Sequence, residues 1–212
     1  SKQGSLASRF AYNIMKDIVP HVDYILDFHT GGDERFNYSQ IRIDASDEES
    51  LELAKVFGTK FILNSQNRSK SFRQSATDLG KKVLLFEGGK SLDLDRIVTQ
   101  KAIQGTAKIL RHLHMANKNM EDEITSAEVE EQYLLQNTTW VRSPLSGMYR
   151  NFVKLGSFVQ KGDNIGSISD PYGGTEKKVK SPCDGFVICS NHAPIVNQGD
   201  ALMHISTSVE KL

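Results

Sequence analysis

A histidine and a glutamate hold matching positions in two parts of the sequence, and their side chains are the ones best suited to chemistry. The first part reads Asp23-Tyr-Ile-Leu-Asp-Phe-His29-Thr-Gly-Gly, and the second reads Lys82-Val-Leu-Leu-Phe-Glu87-Gly-Gly. Each is an apolar segment typical of a buried strand, and each ends on an ionisable residue close to a Gly-Gly turn. Open α/β sheets bind ligands beyond the carboxyl ends of their strands. We therefore expect His29 and Glu87 to lie on one edge of a mostly parallel sheet.

The acidic residue Asp27 lies two positions before His29. Side chains alternate along a strand, so Asp27 and His29 should project to the same side. A carboxylate beside an imidazole is a common way to orient a histidine that binds a metal or moves a proton. This pattern favours a functional His29 with Asp27 as its support.

The elements that position these strands alternate between helical and extended patterns, which predicts an α/β domain. Ser5 is a candidate cap for a first helix that stops near Pro20, and Gly80 is a candidate end for another. Residues 38–43 fit either a short strand or part of a long loop. Further helices are predicted at 47–57, 71–79 and 94–114, with a short strand at 60–63.

Composition excludes several classes of partner. The 26 basic and 26 acidic side chains balance, so net charge implies no nucleic-acid partner. No apolar run approaches the ~20 residues of a membrane helix, so no membrane partner is expected. The only two cysteines, Cys183 and Cys189, are expected to be structural thiols, which favours a cytoplasmic location.

The chain changes character after a polar, acidic segment. We predict an α/β domain at 1–116, a connecting segment at 117–138 and a small all-β domain at 139–208. The last contains an internal repeat, because Ser143-Pro-Leu-Ser-Gly is followed by Ser181-Pro-Cys-Asp-Gly, and the Gly-Asp pair at 162–163 recurs at 199–200. This part resembles the biotinyl/lipoyl domain, a barrel-sandwich hybrid. Carrier members of that fold have a modified lysine in a characteristic hairpin sequence. The hairpin at 170–178 lacks that sequence, so Lys177 and Lys178 are expected to be ordinary surface charges.

Taken together, Asp27-Phe-His29-Thr-Gly-Gly, Phe86-Glu87-Gly-Gly and the lipoyl-like barrel resemble the succinylglutamate desuccinylase/aspartoacylase family. The resemblance implies a zinc-carboxypeptidase-like α/β fold and hydrolysis of the amide bond of N-acyl amino acids or related small compounds. It also implies that His29 is a zinc ligand and that Glu87 is the general base and acid. Such a carboxylate takes a proton from water and passes it to the leaving nitrogen.

The resemblance leaves part of the expected zinc site outside the sequence. Family members also use a His-x-x-Glu pair, and none occurs among these 212 residues. We therefore expect this chain to be the C-terminal part of a longer protein, to be inactive alone and to bind zinc poorly, since catalytic zinc needs about three protein ligands. Arg35, Arg42 and Arg73 are candidates for binding a substrate carboxylate, because the guanidinium group is two-pronged.

Three other functions stay open at this point. A zinc carboxypeptidase would use the same metal and glutamate, and a non-catalytic binding or assembly module would have lost the zinc site. A biotin or lipoyl carrier would show a mass increase on a lysine within 170–178. An α/β domain with sheet edges left unpaired also allows a homo-oligomer.

Overall fold

The computed structural model describes residues 2–116 and 131–212, and it has a mixed α/β architecture. Most of the segment predicted to connect the two domains, residues 117–130, lies outside the described residues. Within the described part, no helix combines the length and the apolar character that a membrane crossing requires.

The chain begins with a helical segment whose first helix is capped as predicted. Helix α1 spans Leu6–Asn13, and the hydroxyl of Ser5 accepts a hydrogen bond from the backbone N–H of Ser8 at 3.3 Å. A π-helical turn and a 3₁₀ turn that contains Pro20 extend the segment to His21. The π turn packs its apolar side chains against the sheet beside α3.

Four strands and three further helices complete this first half. The strands are β1 (Tyr24–Gly31), β2 (Arg35–Ile43), β3 (Phe61–Asn64) and β4 (Lys82–Lys90), and the helices are α2 (Glu48–Phe57), α3 (Phe72–Thr77) and α4 (Arg96–His112). The predicted helices and strands are confirmed, with small shifts at their ends. Residues 38–43, for which a loop was also possible, belong to the nine-residue strand β2.

The order of these strands is β1-β4-β2-β3, and the sheet is mixed rather than mostly parallel. Strand β1 runs parallel to β4 and β2 runs parallel to β3, but β2 is antiparallel to β4. The prediction that β1 is buried is wrong. It pairs only with β4 among the described strands, so Tyr24 and Phe28 remain 38% and 49% exposed.

The helices pack on opposite faces of this sheet. Helices α2 and α4 cover one face through a core that includes Ile41, Phe57 and Phe86. Helix α3 and the π turn cover the start of β1 and β4 on the other face. The remainder of that second face, toward the carboxyl ends of β1 and β4, carries the polar residues described below.

The second half consists of eight strands. They are β5 (Tyr133–Arg142), β6 (Gly147–Asn151), β7 (Phe158–Val159), β8 (Asn164–Ser169), β9 (Glu176–Lys180), β10 (Gly185–Asn191), β11 (Ile195–Val196) and β12 (Ala201–Lys211). Strands β11, β6, β8 and β9 form a separate four-stranded sheet. Strand β5 starts inside the segment 117–138, where it pairs with β3 as well as with β12.

Five strands close into a ring that joins the two halves. Strand β5 pairs with β3 and β12, β12 pairs with β10, and β10 returns to pair with β2, so the sequence β2-β3-β5-β12-β10 closes on itself. We call this the closed ring. Its apolar interior comes from both halves, with Phe61 and Leu63 on one side and Leu135, Phe186 and Ile188 on the other.

The internal repeat is visible in the hydrogen bonds of the second half. The hydroxyl of Ser143 donates to the carbonyl of Leu145 at 2.6 Å, and that of Ser181 donates to the carbonyl of Cys183 at the same distance. Each repeat also binds the turn of the other repeat. The N–H of Ser143 donates to Asp200 at 2.8 Å, and the N–H of Ser181 donates to Asp163 at 2.9 Å. The two repeats are therefore interlocked.

Candidate active site

The two residues with matching sequence positions are direct neighbours in the sheet. In the parallel pairing of β1 with β4, His29 is in register with Glu87. Adjacent strands lie about 4.8 Å apart, and residues in register project to the same face. An imidazole and a carboxylate therefore stand side by side on the face that α2 and α4 leave uncovered.

The support expected for His29 is also present. Nε2 of His29 lies 3.1 Å from Oδ2 of Asp27, on the same face of β1. This contact holds the imidazole plane and leaves Nδ1 as the ring nitrogen that can take a metal. The chain then turns back so closely that a side chain at Gly31 would overlap the carbonyl of Arg35. Glycine is thus required two residues after the histidine.

Glu87 is held by side chains from β2. Its Oε2 atom accepts hydrogen bonds from Nη2 of Arg42 at 2.7 Å and from Nδ2 of Asn37 at 3.1 Å, with Nε2 of Gln40 at 3.5 Å. The side chains of Glu87 and Arg42 are only 18% and 19% exposed. A mostly buried carboxylate with charge-assisted hydrogen bonds has a fixed position and orientation. Among the described residues, these hydrogen bonds to Glu87 all involve one oxygen, Oε2.

These residues line a pocket of about 440 Å³. Its walls include Asp27, His29 and Glu87 together with three arginines, Arg42, Arg68 and Arg73. The pocket therefore combines the candidate catalytic groups with a cationic wall. That combination suits a small substrate carrying a carboxylate.

Arg73 is the most buried of the three arginines, at 7% exposure. Its Nη2 atom donates to the carbonyls of Ser65 at 2.8 Å and Gln66 at 2.9 Å, which fixes the guanidinium on the loop before α3. Burial, together with the nearby charge of Arg42, lowers the pKa of Arg73 below its ordinary value. Nη1 of Arg73 is buried without a hydrogen-bond partner in the described structure, so it can donate a hydrogen bond to a ligand oxygen.

Arg35 occupies a different place. Its Nε donates to the carbonyl of Gly32 at 3.0 Å and its Nη2 pairs with Asp33 at 3.0 Å. It lines a separate depression of about 220 Å³ between the β1–β2 turn and the second half. The structure therefore brings Arg42 and Arg73 to the pocket but not Arg35. Arg42 reaches it as the partner of Glu87.

The described residues do not by themselves supply the ligands of a catalytic zinc ion. Among residues 2–116 and 131–212, no group of three or more histidine, cysteine, aspartate or glutamate side chains is placed to hold a metal ion. His29 is one candidate ligand, and a catalytic zinc ion needs about three. The donor set of the described chain alone therefore does not fit a catalytic zinc ion.

Sequence reasoning missed Asn37, Gln40 and Arg68. The alternation of Gln40, Ile41, Arg42 and Ile43 was the available signal for β2, since polar and apolar residues occupy opposite faces of a strand. That signal could not show that β2 lies next to β4. No local pattern identified Arg68, which is in a loop.

Comparisons with known proteins show the family and support the fold. The catalytic domain family described as succinylglutamate desuccinylase/aspartoacylase matches residues 2–113. A curated relative, the N-alpha-acetyl-L-2,4-diaminobutyric acid deacetylase of Halomonas elongata, is 26% identical over 223 residues. That alignment covers 99% of this chain but 63% of the relative, so the chain spans less than two-thirds of the length of that enzyme.

Solved structures show the same fold over nearly the whole chain. The apo structure of the ectoine utilization protein EutE (DoeB) from Ruegeria pomeroyi has a TM-score of 0.84 at 17% identity, covering 98% of this chain and 67% of that one. A succinylglutamate desuccinylase/aspartoacylase structure from Rhodobacter sphaeroides has a TM-score of 0.80 at 18% identity, covering 100% of this chain and 66% of that one.

Proposed function

Because this chain belongs to the succinylglutamate desuccinylase/aspartoacylase family, we propose that it is part of a zinc-dependent deacylase that hydrolyses the amide bond of N-acyl amino acids or related small compounds. The observation that carries the proposal is the register of His29 with Glu87 on parallel strands, facing a pocket with a cationic wall. A metal ligand and a proton-transferring carboxylate then stand within one strand spacing of each other.

In the proposed reaction Glu87 takes the proton of the attacking water and returns it to the leaving nitrogen. The contacts of Oε2 with Arg42 and Asn37 leave Oε1 as the oxygen that carries this proton. His29 would bind the zinc ion through Nδ1, with Asp27 holding the opposite side of the ring. When bound, zinc would polarise the scissile carbonyl and make water easier to deprotonate. The remaining ligands would come from a segment outside these 212 residues.

The substrate we propose is an N-acyl amino acid whose carboxylate binds the cationic wall of the pocket. Nη1 of Arg73 is the best placed donor, because it is buried without a partner and Arg73 lines the pocket. Arg68 lines the same wall. The acetylated amino acid in the name of the Halomonas elongata relative supports this class of substrate without fixing the acyl group or the amino acid.

We also propose that the second half is a barrel-sandwich hybrid. Its interlocked repeats and its four-stranded sheet facing the strands of the closed ring support this assignment. Lys177 and Lys178 are exposed on β9. The two free thiols, Cys183 and Cys189, agree with a cytoplasmic location, which is part of the proposal.

The proposal is tested with paired substitutions in a protein that includes the missing zinc ligands. Glu87→Gln should lower kcat by about 10²–10⁴-fold at normal zinc content, since it removes the proton acceptor but no metal ligand. His29→Ala should release zinc, as measured by metal analysis after dialysis. Lys177→Gln on β9 is the control and should change neither quantity.

Two results would contradict the proposal. One is full activity of Glu87→Gln toward a panel of N-acetyl amino acids. The other is stoichiometric, tightly bound zinc in the 212-residue chain alone. A folded protein that binds members of the panel but hydrolyses none of them would instead support the non-catalytic binding module.

A further inference from the structure

Buried polar atoms without partners occur on residues that contact Glu87 or line its pocket, and on His204. In the described part of the chain, five buried side-chain atoms lack a hydrogen-bond partner, and four of them belong to Gln40, Arg42, Arg73 and His204. Leaving such an atom unpaired costs about as much as losing a hydrogen bond, so clusters of them need an explanation. Arg73 faces the pocket, as described above. The other three atoms are Oε1 of Gln40, Nε of Arg42 and Nδ1 of His204.

These three atoms come from both halves of the molecule. Gln40 and Arg42 alternate on one face of β2, the face that carries their contacts with Glu87. His204 is on β12, which is joined to β2 through β10, since His204 pairs with Cys189 and Cys189 pairs with Asn37. Gln40 is fully buried and His204 is 6% exposed.

The imidazole of His204 is stacked on an aromatic ring, and its surroundings favour the neutral form. It stacks on the cross-strand neighbour Trp140 with a centroid separation of 4.2 Å and an interplanar angle of 1°. Burial and the charge of Arg42 together lower the pKa of His204 to about 3. The contribution of Arg42 agrees with the strand pairings that connect β12 to β2 through β10.

The donors and acceptors of the three atoms are complementary to a single water molecule. Nε of Arg42 is a donor, Oε1 of Gln40 is an acceptor, and Nδ1 of a neutral histidine can be an acceptor. A water accepts one hydrogen bond and donates two in such an arrangement. Buried waters typically make about three hydrogen bonds to polar groups that lack other partners.

We propose that His204, through one water shared with Gln40 and Arg42, positions the Arg42 guanidinium against Glu87. His204 is then a positioning residue, not a catalytic one, and it ties the second half of the chain to the proposed catalytic carboxylate. The inference takes the role of Glu87 from the proposed function, but the placement of Arg42 by His204 can be measured without any activity.

The measurement is the ¹⁵Nε–¹Hε signal of Arg42 in NMR spectra of the 212-residue chain, assigned by its loss in Arg42→Lys. His204→Phe keeps an aromatic ring on Trp140 but removes Nδ1, and should speed exchange of this proton with solvent roughly tenfold or more, since about 1.4 kcal/mol corresponds to a factor of ten. His204→Asn retains a polar atom near the position of Nδ1 and should restore slow exchange. Trp140→Phe keeps the stacked ring and should leave the exchange near that of the unmodified chain.

Gln40→Met provides a second route, because it removes Oε1 of Gln40 and should also speed exchange of the Arg42 proton. The backbone amides of Phe61 and Leu135 report whether each variant keeps the closed ring. Unchanged Arg42 exchange in a folded His204→Phe variant would overturn the proposal, as would failure of a folded His204→Asn variant to restore it. In an active protein that includes the missing zinc ligands, His204→Phe should lower kcat about tenfold and leave KM within about twofold. If that protein without substitutions has no deacylase activity, the proposed function is contradicted. The NMR result would still decide whether His204 positions Arg42.

Discussion

The polar contacts around Glu87 fall into two groups, one between Asp27 and His29 on β1 and one between Glu87 and side chains of β2. Asp27 holds His29, Arg42 and Asn37 hold Glu87, and in our proposal His204 on β12 positions Arg42. Asp27 and His29 are close together in the sequence, and Glu87 ends a second segment with the same pattern. The rest meet because β2 lies between β4 and the second half.

The depressed pKa of His204 predicts a specific pH dependence of stability. The folded state holds the ring neutral down to about pH 3, whereas the unfolded chain binds a proton near the ordinary value of about 6.5. The unfolded state therefore binds more protons below pH 6.5, and stability is lost as the pH falls from 6.5 toward 3. Between pH 7 and pH 5 this one group should remove about 2 kcal/mol from the free energy of unfolding.

His204→Phe is the test of that prediction, with urea unfolding at pH 7 and pH 5. The variant should lose about 2 kcal/mol less than the unmodified chain over this interval. His112→Phe, an exposed position at the end of α4, is the matched control and should keep the original pH dependence. Equal pH dependence in the unmodified chain and His204→Phe would show that His204 is not buried in its neutral form.

At the scale of elements, the packing of α2 on α4 depends on one glycine. A side chain at Gly105 of α4 would overlap the ring of Phe57 from α2, which is itself almost fully buried. Gly105→Ala would gain about 1 kcal/mol of helix propensity, but overpacking costs about 1–3 kcal/mol. We expect a net loss of up to about 2 kcal/mol in the free energy of unfolding.

A double-mutant cycle separates this clash from a general effect of the substitution. Phe57→Leu makes room for the added methyl group, so the double variant should be more stable than the sum of the two single changes predicts, by at least about 0.5 kcal/mol. Strict additivity of the two changes would show that Phe57 and Gly105 do not compete for the same space.

Local patterns predicted the elements and the core of the site, because those depend on residues close in sequence. The apolar segments before His29 and Glu87 identified β1 and β4, and the alternation of side chains placed Asp27 beside His29. The exposure of β1 and the antiparallel direction of β2 depend on which strands pair across long separations. The contacts of Arg42, Asn37 and Gln40 with Glu87 follow from that pairing, so the sequence could name Arg42 as a candidate but not its partner.

At the scale of the whole molecule, the closed ring joins the two halves through a shared apolar core. Its core combines Phe61 and Leu63 with Leu135, Phe186 and Ile188, so neither half can bury these side chains alone. We therefore predict one cooperative unfolding transition for the 212-residue chain. Fluorescence of Trp140, the single tryptophan, and far-UV circular dichroism should give coincident urea curves.

An independent second domain predicts a different result. If residues 139–208 folded alone, Trp140 fluorescence would report its transition separately from the loss of helix in the first half. Two displaced curves would contradict a shared core. A fragment of residues 131–212 with native-like strand content would contradict it as well.

The exposed strand β1 also determines how the backbone next to His29 exchanges hydrogen with solvent. Among the described strands it pairs only with β4, so the N–H groups on its outer side have no partner strand. In a strand paired on one side, successive N–H groups point alternately toward the neighbour and away from it. Protection of the amides of residues 24–31 against hydrogen exchange should therefore alternate with a period of two. If another strand paired with the outer edge of β1, all of these amides should be protected. Hydrogen exchange at this strand thus becomes a direct indicator of whether the sheet edge beside the proposed zinc ligand is covered.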